Sequence, residues 1–99
     1  MAQGQERVFK TLQEHHEAIQ RYRVKNLGLF GSYARGQNTE ASDLDFVVEF
    51  TEKSFDNYMD LKDYLERLFK RRVDLVLANT IKPRLRSAIL KEAIYAPGF

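Results

Sequence analysis

The stretch Gly31-Ser32-Tyr33-Ala34-Arg35-Gly36, followed after a polar loop by Ser42-Asp43-Leu44-Asp45, is the most informative run in the chain. It joins two apolar segments. Val24 to Phe30 ends directly on Gly31, and in Asp43 to Phe50 the residues Leu44, Phe46, Val48 and Phe50 alternate with Asp43, Asp45, Val47 and Glu49. Period-2 alternation predicts a strand, so the run reads as strand, short helical turn, strand. Gly31 lets backbone approach a ligand closely at the end of the first strand. A helical turn beginning near Ser32 would aim free N–H groups and a hydroxyl outward, a geometry that attracts phosphate. One turn on, Arg35 adds a permanent guanidinium able to fork onto phosphate oxygens, and Gly36 permits a sharp exit. A Gly-Ser pair by itself is also an ordinary loop turn, so the weight falls on the combination.

Working outward, Val8, Phe9, Leu12, Ala18, Ile19 and Tyr22 recur at helical spacing, which predicts one amphipathic helix over about Gln5 to Tyr22. Ser54 can cap a helix from Phe55 to about Phe69, with Tyr58, Leu61, Leu65 and Leu68 along one side. Val73 to Leu77 reads as a third strand. Pro83 suits the first turn of a final helix carrying Leu85, Ala88, Ile89, Ala93 and Ile94, which Pro97-Gly98 ends. The expectation is one domain over residues 1–99: a small α/β (α+β) fold, with a mixed sheet of three or more strands, helices on one face and a carboxylate site on the other.

Composition narrows the chemistry. The 99 residues are 43% hydrophobic and 30% charged, with a formal net charge of +2 and no cysteine. A chain this small buries only about 60 to 65% of its unfolded surface, which leaves little for a second core or a deep pocket. A second substrate is therefore expected to arrive on a partner. The lack of cysteine removes disulfides, thiolate zinc sites and cysteine nucleophiles. With short apolar runs and no basic-then-apolar start, neither a membrane span nor a signal peptide fits, and a cytoplasmic protein is expected. A mixed-sign surface of charge +2 makes a weak field for nucleic acid, so direct nucleic-acid binding is not expected.

Asp43 and Asp45, two apart on a strand, project from one face. At about 4 Å, two like charges repel by about 1 kcal/mol in water and about 4 kcal/mol at an effective dielectric near 20, so such a pair usually holds a cation. Hard oxygen donors favour magnesium, which takes one or two carboxylates and completes its shell with substrate phosphates. Two solvated aspartates at a strand end are the plain alternative. Asp74 shifts the balance, because alternation puts Val73, Leu75 and Leu77 on one face and leaves Asp74 on the other, in phase with Asp43 and Asp45. Three carboxylates can divide between two metal ions clamping an in-line phosphoryl or nucleotidyl transfer, with Asp74 also placed as general base.

These three elements, in order, resemble the nucleotidyltransferase superfamily of DNA polymerase beta, whose minimal members, the MNT proteins, are similar in length. The resemblance spans nearly the whole chain. It implies that Asp43 and Asp45 bind two Mg2+ ions, that Asp74 completes the site, and that Gly31, Ser32 and Arg35 hold the triphosphate of ATP. Larger relatives add a domain that binds the base or presents the acceptor, and none is expected here. Minimal members resemble antitoxins paired with a helical HEPN RNase toxin, onto a tyrosine of which they transfer AMP. The family thus implies a HEPN partner, an oligomer with it, and a protein adenylyltransferase. Two alternatives stand beside this: a non-catalytic antitoxin that acts by binding alone, and transfer to a small molecule or a nucleic-acid end.

Other signals carry less. Glu14-His15-His16-Glu17 lacks the spacing of a zinc protease and reads as a solvated helix face. Lys70 and Arg71 suit a helix C-terminus, whereas Lys82, Arg84 and Arg86 could meet a nucleotide phosphate or an acidic partner. Gln37 stands where a P-loop needs lysine, and no dinucleotide fingerprint occurs. Leu90, Ile94, Tyr95 and Phe99 are a candidate partner surface.

Overall fold

In the computed structural model, which describes residues 3–39, 41–52 and 54–99, strands β1 (Val24–Phe30) and β2 (Leu44–Phe50) pair antiparallel across the Gly31 turn. Strand β3 (Val73–Leu77) joins β2 in parallel, which requires the crossover that helix α4 (Phe55–Phe69) provides. A two-residue strand β4 (Ile94–Tyr95) closes the other edge, giving a mixed sheet in the order β3-β2-β1-β4. The expected fold class is the observed one.

The alternation read from the sequence sets the faces. Leu44, Phe46 and Val48 are buried on one side with Leu27 and Leu29 of β1 and Val73 and Leu75 of β3, and register pairs them laterally. Against this side pack Val8 and Leu12 of helix α1 (Gln3–Glu14), Ile19 of helix α2 (His16–Gln20), and Leu61 and Leu65 of α4. Burying a large aliphatic or aromatic side chain contributes about 1.5–3 kcal/mol, so this layer supplies most of the driving force. Ser54 caps α4, its Oγ accepting from Asn57 N at 3.3 Å, and Lys70 ends the helix in the left-handed region at φ 54°. Tyr58 Oη donates to the Leu75 carbonyl and ties α4 to β3.

Two expectations are corrected. The single helix over Gln5–Tyr22 is two helices that meet at His15. Ile19 keeps the helical phase of Val8 and Leu12 across the break and is buried with them. His15 Nδ1 lies 3.1 Å from the Thr11 carbonyl, and His16 Nε2 lies 2.7 Å from the Gly98 carbonyl with its ring against Phe99. His16 therefore joins α2 to the C-terminal segment while His15 meets Tyr64 of α4 edge-on, and Glu14 and Glu17 are exposed as a solvated face would have them. The final helix, α5 (Pro83–Glu92), is also shorter than expected: Ala93 is extended at φ −62°, ψ 137°, and Ile94 lies in β4. β-branched and aromatic residues suit a strand, and here they satisfy the free edge of β1 through Gly28↔Tyr95 and Leu29↔Ile94. No residue of α5 is fully buried, so Leu85 and Ala88 face solvent instead of a core. Of the candidate partner surface, Ile94 and Tyr95 are exposed, while Leu90 and Phe99 are half-buried.

Candidate active site

Gly31 ends β1 at φ 75°, ψ −152°, a conformation glycine adopts without strain, and it precedes the short helix α3 (Ser32–Arg35). A Cβ at this position would collide with the Asp45 carboxylate. The glycine thus both turns the chain and leaves the space in which that carboxylate sits. Gly36 closes α3 in the left-handed region at φ 71°. Tyr33 points inward and is buried, whereas Ser32 is half-buried and Arg35 is exposed on the same short turn.

Asp45 on β2 stands opposite Phe30 on one side and Asp74 of β3 on the other. Neighbours directly across a sheet share a face, so Asp45 and Asp74 emerge together on the side away from the helices. Asp43 lies just before β2, close enough for its charge to act on Asp45. The pKa of Asp45 is raised to about 6, first by burial, then by a hydrogen bond with the Asp74 side chain and the charges of Asp74 and Asp43; Arg35 opposes the rise. Asp74 is exposed and Asp43 half-exposed. Asp45 and Asp74 thus meet beside the Gly31 turn, with Asp43 near enough to act on Asp45 through its charge. Among the described residues, however, no group of three or more His, Asp or Glu side chains forms a ready-made metal cage. The donor chemistry is hard oxygen from crowded carboxylates, which fits a divalent cation that draws its remaining ligands from a substrate.

Several supporting contacts escaped the sequence reading. Arg35 Nη1 lies 2.6 Å from Glu92 Oε1, and its Nε donates to Gln37 Oε1 at 3.0 Å. Arg71 is more than a helix-end cation: Nη1 donates to the Ser42 carbonyl at 2.9 Å, and the guanidinium stands 5.9 Å from the centre of the Tyr33 ring. Leu44 N donates to the Arg72 carbonyl at 3.0 Å, so the segment leading into Asp43 and Asp45 is held from the α4–β3 connection. Glu92 follows Arg35 by 57 positions, and no local pattern marks such a pair. Nothing in the spacing of Lys70, Arg71 and Arg72 distinguishes the one that turns toward Ser42.

The sequence profile of the nucleotidyltransferase domain matches residues 8–96. The chain belongs to the nucleotidyltransferase domain family. A provisionally named protein adenylyltransferase of Methanocaldococcus jannaschii is 42% identical over 91 residues, covering 87% of this chain and 91% of its own. The protein adenylyltransferase MntA of Thermococcus cleftensis is 37% identical over 92 residues, covering 91% and 93%. Among solved structures, one provisionally described as a minimal nucleotidyltransferase superposes with a TM-score of 0.73 at 40% identity, over 87% of this chain and 93% of that one. The MNT antitoxin in complex with a tri-AMPylated Shewanella oneidensis HEPN toxin shares the fold at a TM-score of 0.61 and 20% identity, over 100% and 74%. This nucleotidyltransferase has no helix, among the described residues, long and apolar enough to cross a membrane.

Proposed function

We propose that this nucleotidyltransferase is an antitoxin that transfers AMP from ATP to a tyrosine of a HEPN-type toxin. The observation that carries the reading is the pairing of Asp45 with Asp74 beside the Gly31 turn, with the charge of Asp43 acting on Asp45, in a chain whose relatives over nearly its full length are named protein adenylyltransferases. The likeness to an MNT antitoxin found with an AMPylated HEPN toxin supports the partner.

In this reading the Gly31 backbone, the Ser32 hydroxyl and the Arg35 guanidinium bind the triphosphate and point its α-phosphorus at the aspartates. Asp43, Asp45 and Asp74 would hold up to two Mg2+ ions, which supply Lewis-acid stabilisation of the charge that develops on the phosphate oxygens. The tyrosine oxygen of the partner attacks the α-phosphorus. The bond to the β-phosphate oxygen breaks, and pyrophosphate leaves from the side held by Ser32 and Arg35. Asp74, the most exposed of the three aspartates, takes the phenolic proton. Exposed on the edge strand β3, Asp74 gives the acceptor a direct approach to this point.

The test is the combined D43N/D45N variant, co-expressed with its HEPN partner and supplied with labelled ATP. Label on the partner should vanish. Label retained at the wild-type level would refute the site, and neutralisation of the toxin that survives the loss of label would favour an antitoxin acting by binding alone.

A further inference from the structure

Arg35 sits on a helix of four residues with its side chain half exposed, a setting in which an arginine normally samples many rotamers. Here its guanidinium is gripped at two points: Nε by Gln37 Oε1 and Nη1 by Glu92 Oε1. Glu92 is the last residue of α5, and a carboxylate there is unfavourable to the helix dipole. The rest of α5 and its N-cap is cationic or neutral, with Lys82, Arg84, Arg86 and Lys91. Helix stability therefore does not account for Glu92, whereas the contact with Arg35 does. The Glu92 side chain is 28% exposed, less than its partner at 50%.

We propose that Glu92 is a positioning residue for nucleotide binding: it holds the Arg35 guanidinium in the orientation that receives phosphate. The inference rests on the reading that Arg35 contacts the triphosphate. A guanidinium carries five N–H donors, and the two bonds to Gln37 and Glu92 leave three for phosphate oxygens, so the clamp and the substrate can be held together. Fixing the fork beforehand removes the ordering cost that binding would otherwise meet. The pair also links α5 to the phosphate turn, giving the lightly packed C-terminal helix a part in the site.

The experiment is a double-mutant cycle on the full chain, read as the affinity for a non-hydrolysable ATP analogue with Mg2+ by calorimetry. E92A should weaken binding roughly fivefold to tenfold, the scale of one lost hydrogen bond. E92Q, which keeps the acceptor oxygen, should stay within about twofold of wild type. R35A should weaken binding at least as much as E92A, and R35A/E92A should be no worse than R35A alone, because Glu92 acts through Arg35. With the cognate partner present, E92A should raise KM for ATP and leave kcat within about twofold. Wild-type or tighter binding by E92A would overturn the proposal, since the carboxylate would then be competing with phosphate. Losses that add in the double variant would overturn it as well. Should R35A leave affinity unchanged while D43N/D45N still abolishes transfer, the Arg35 and Glu92 assignments fall together and the nucleotidyl-transfer reading survives.

Discussion

The two ends of the candidate site are built differently. Asp45 stands on the interior strand β2 and Asp74 beside it on the edge strand β3, and the residues around them on the reverse face, Leu44, Phe46, Val73 and Leu75, are buried under α1, α2 and α4. The phosphate turn has one foot on that frame, through buried Gly31 and Tyr33, while its arginine is held by α5, a helix with no fully buried residue. Crowded carboxylates repel, so only a stiff frame keeps them together. A guanidinium that must meet a flexible polyphosphate needs only a directed hold. The difference teaches that catalytic geometry is placed where packing is dense and ligand capture where it is light.

The contrast can be broken most forcefully at its rigid end. Phe46 follows Asp45 on β2 and points to the buried face beside Leu75, and its ring meets Phe69 of α4 with centroids 6.0 Å apart. Phe46→Ala should cost about 3–5 kcal/mol of unfolding free energy, a large share of the whole for a domain of this size. Urea melts check this, and a loss under 1 kcal/mol would mean that the frame is soft. Gly31→Ala should act on activity, because a methyl group at φ 75° drives into the Asp45 carboxylate. A displacement of about 1 Å at a reacting centre can cost about a hundredfold in rate. Single-turnover transfer to the partner measures it, and unaltered turnover would show that Asp45 has room to move.

Legibility in the sequence followed the same division. The three longer strands, the cap at Ser54 and the shared face of Asp45 and Asp74 were readable because dense packing imposes strict periodicity. The end of the last helix was misread where packing is light: Ile94 continues a helical stripe on paper, but the free edge of β1 offers it backbone partners that no local pattern announces. The α1–α2 break was hidden because Ile19 keeps the phase of Val8 and Leu12, and because His16 finds its partners, Gly98 and Phe99, at the far end of the chain. Long-range polar pairs such as Arg35–Glu92 and Arg71–Ser42 leave no trace in spacing at all.

The carboxylate crowding sharpens the comparison further, with a smaller effect. Asp45 titrates at about 6 in the fold against an ordinary 3.8, so folding takes up a proton between those values. The stabilisation this group gives is fully present below about pH 3.8 and is lost as pH rises through about 6. D45N should therefore melt higher than wild type at pH 7, with the gap closing as pH falls toward 4. Scanning calorimetry without metal across this range checks the sign. Millimolar Mg2+ should raise the melting temperature of wild type at pH 7 and leave that of D45N nearly unchanged, whereas a gap that widens toward acid would reverse the electrostatic reading.

The smallest effect belongs to the light end. Leu85 is 49% exposed on α5, so Leu85→Ala removes a side chain that has little packing to lose. Surface changes away from caps and networks stay within about 0.5 kcal/mol, and alanine is the better helix former, which offsets part of any lost contact. Urea melts of Leu85→Ala and Phe46→Ala under one condition therefore read the two regions on a common scale, with an expected ratio near tenfold. A loss of 2 kcal/mol or more at Leu85 would place α5 within the packed frame. The hold on Arg35 would then be as rigid as the bed of the aspartates, and the division between catalytic frame and capture segment would not exist.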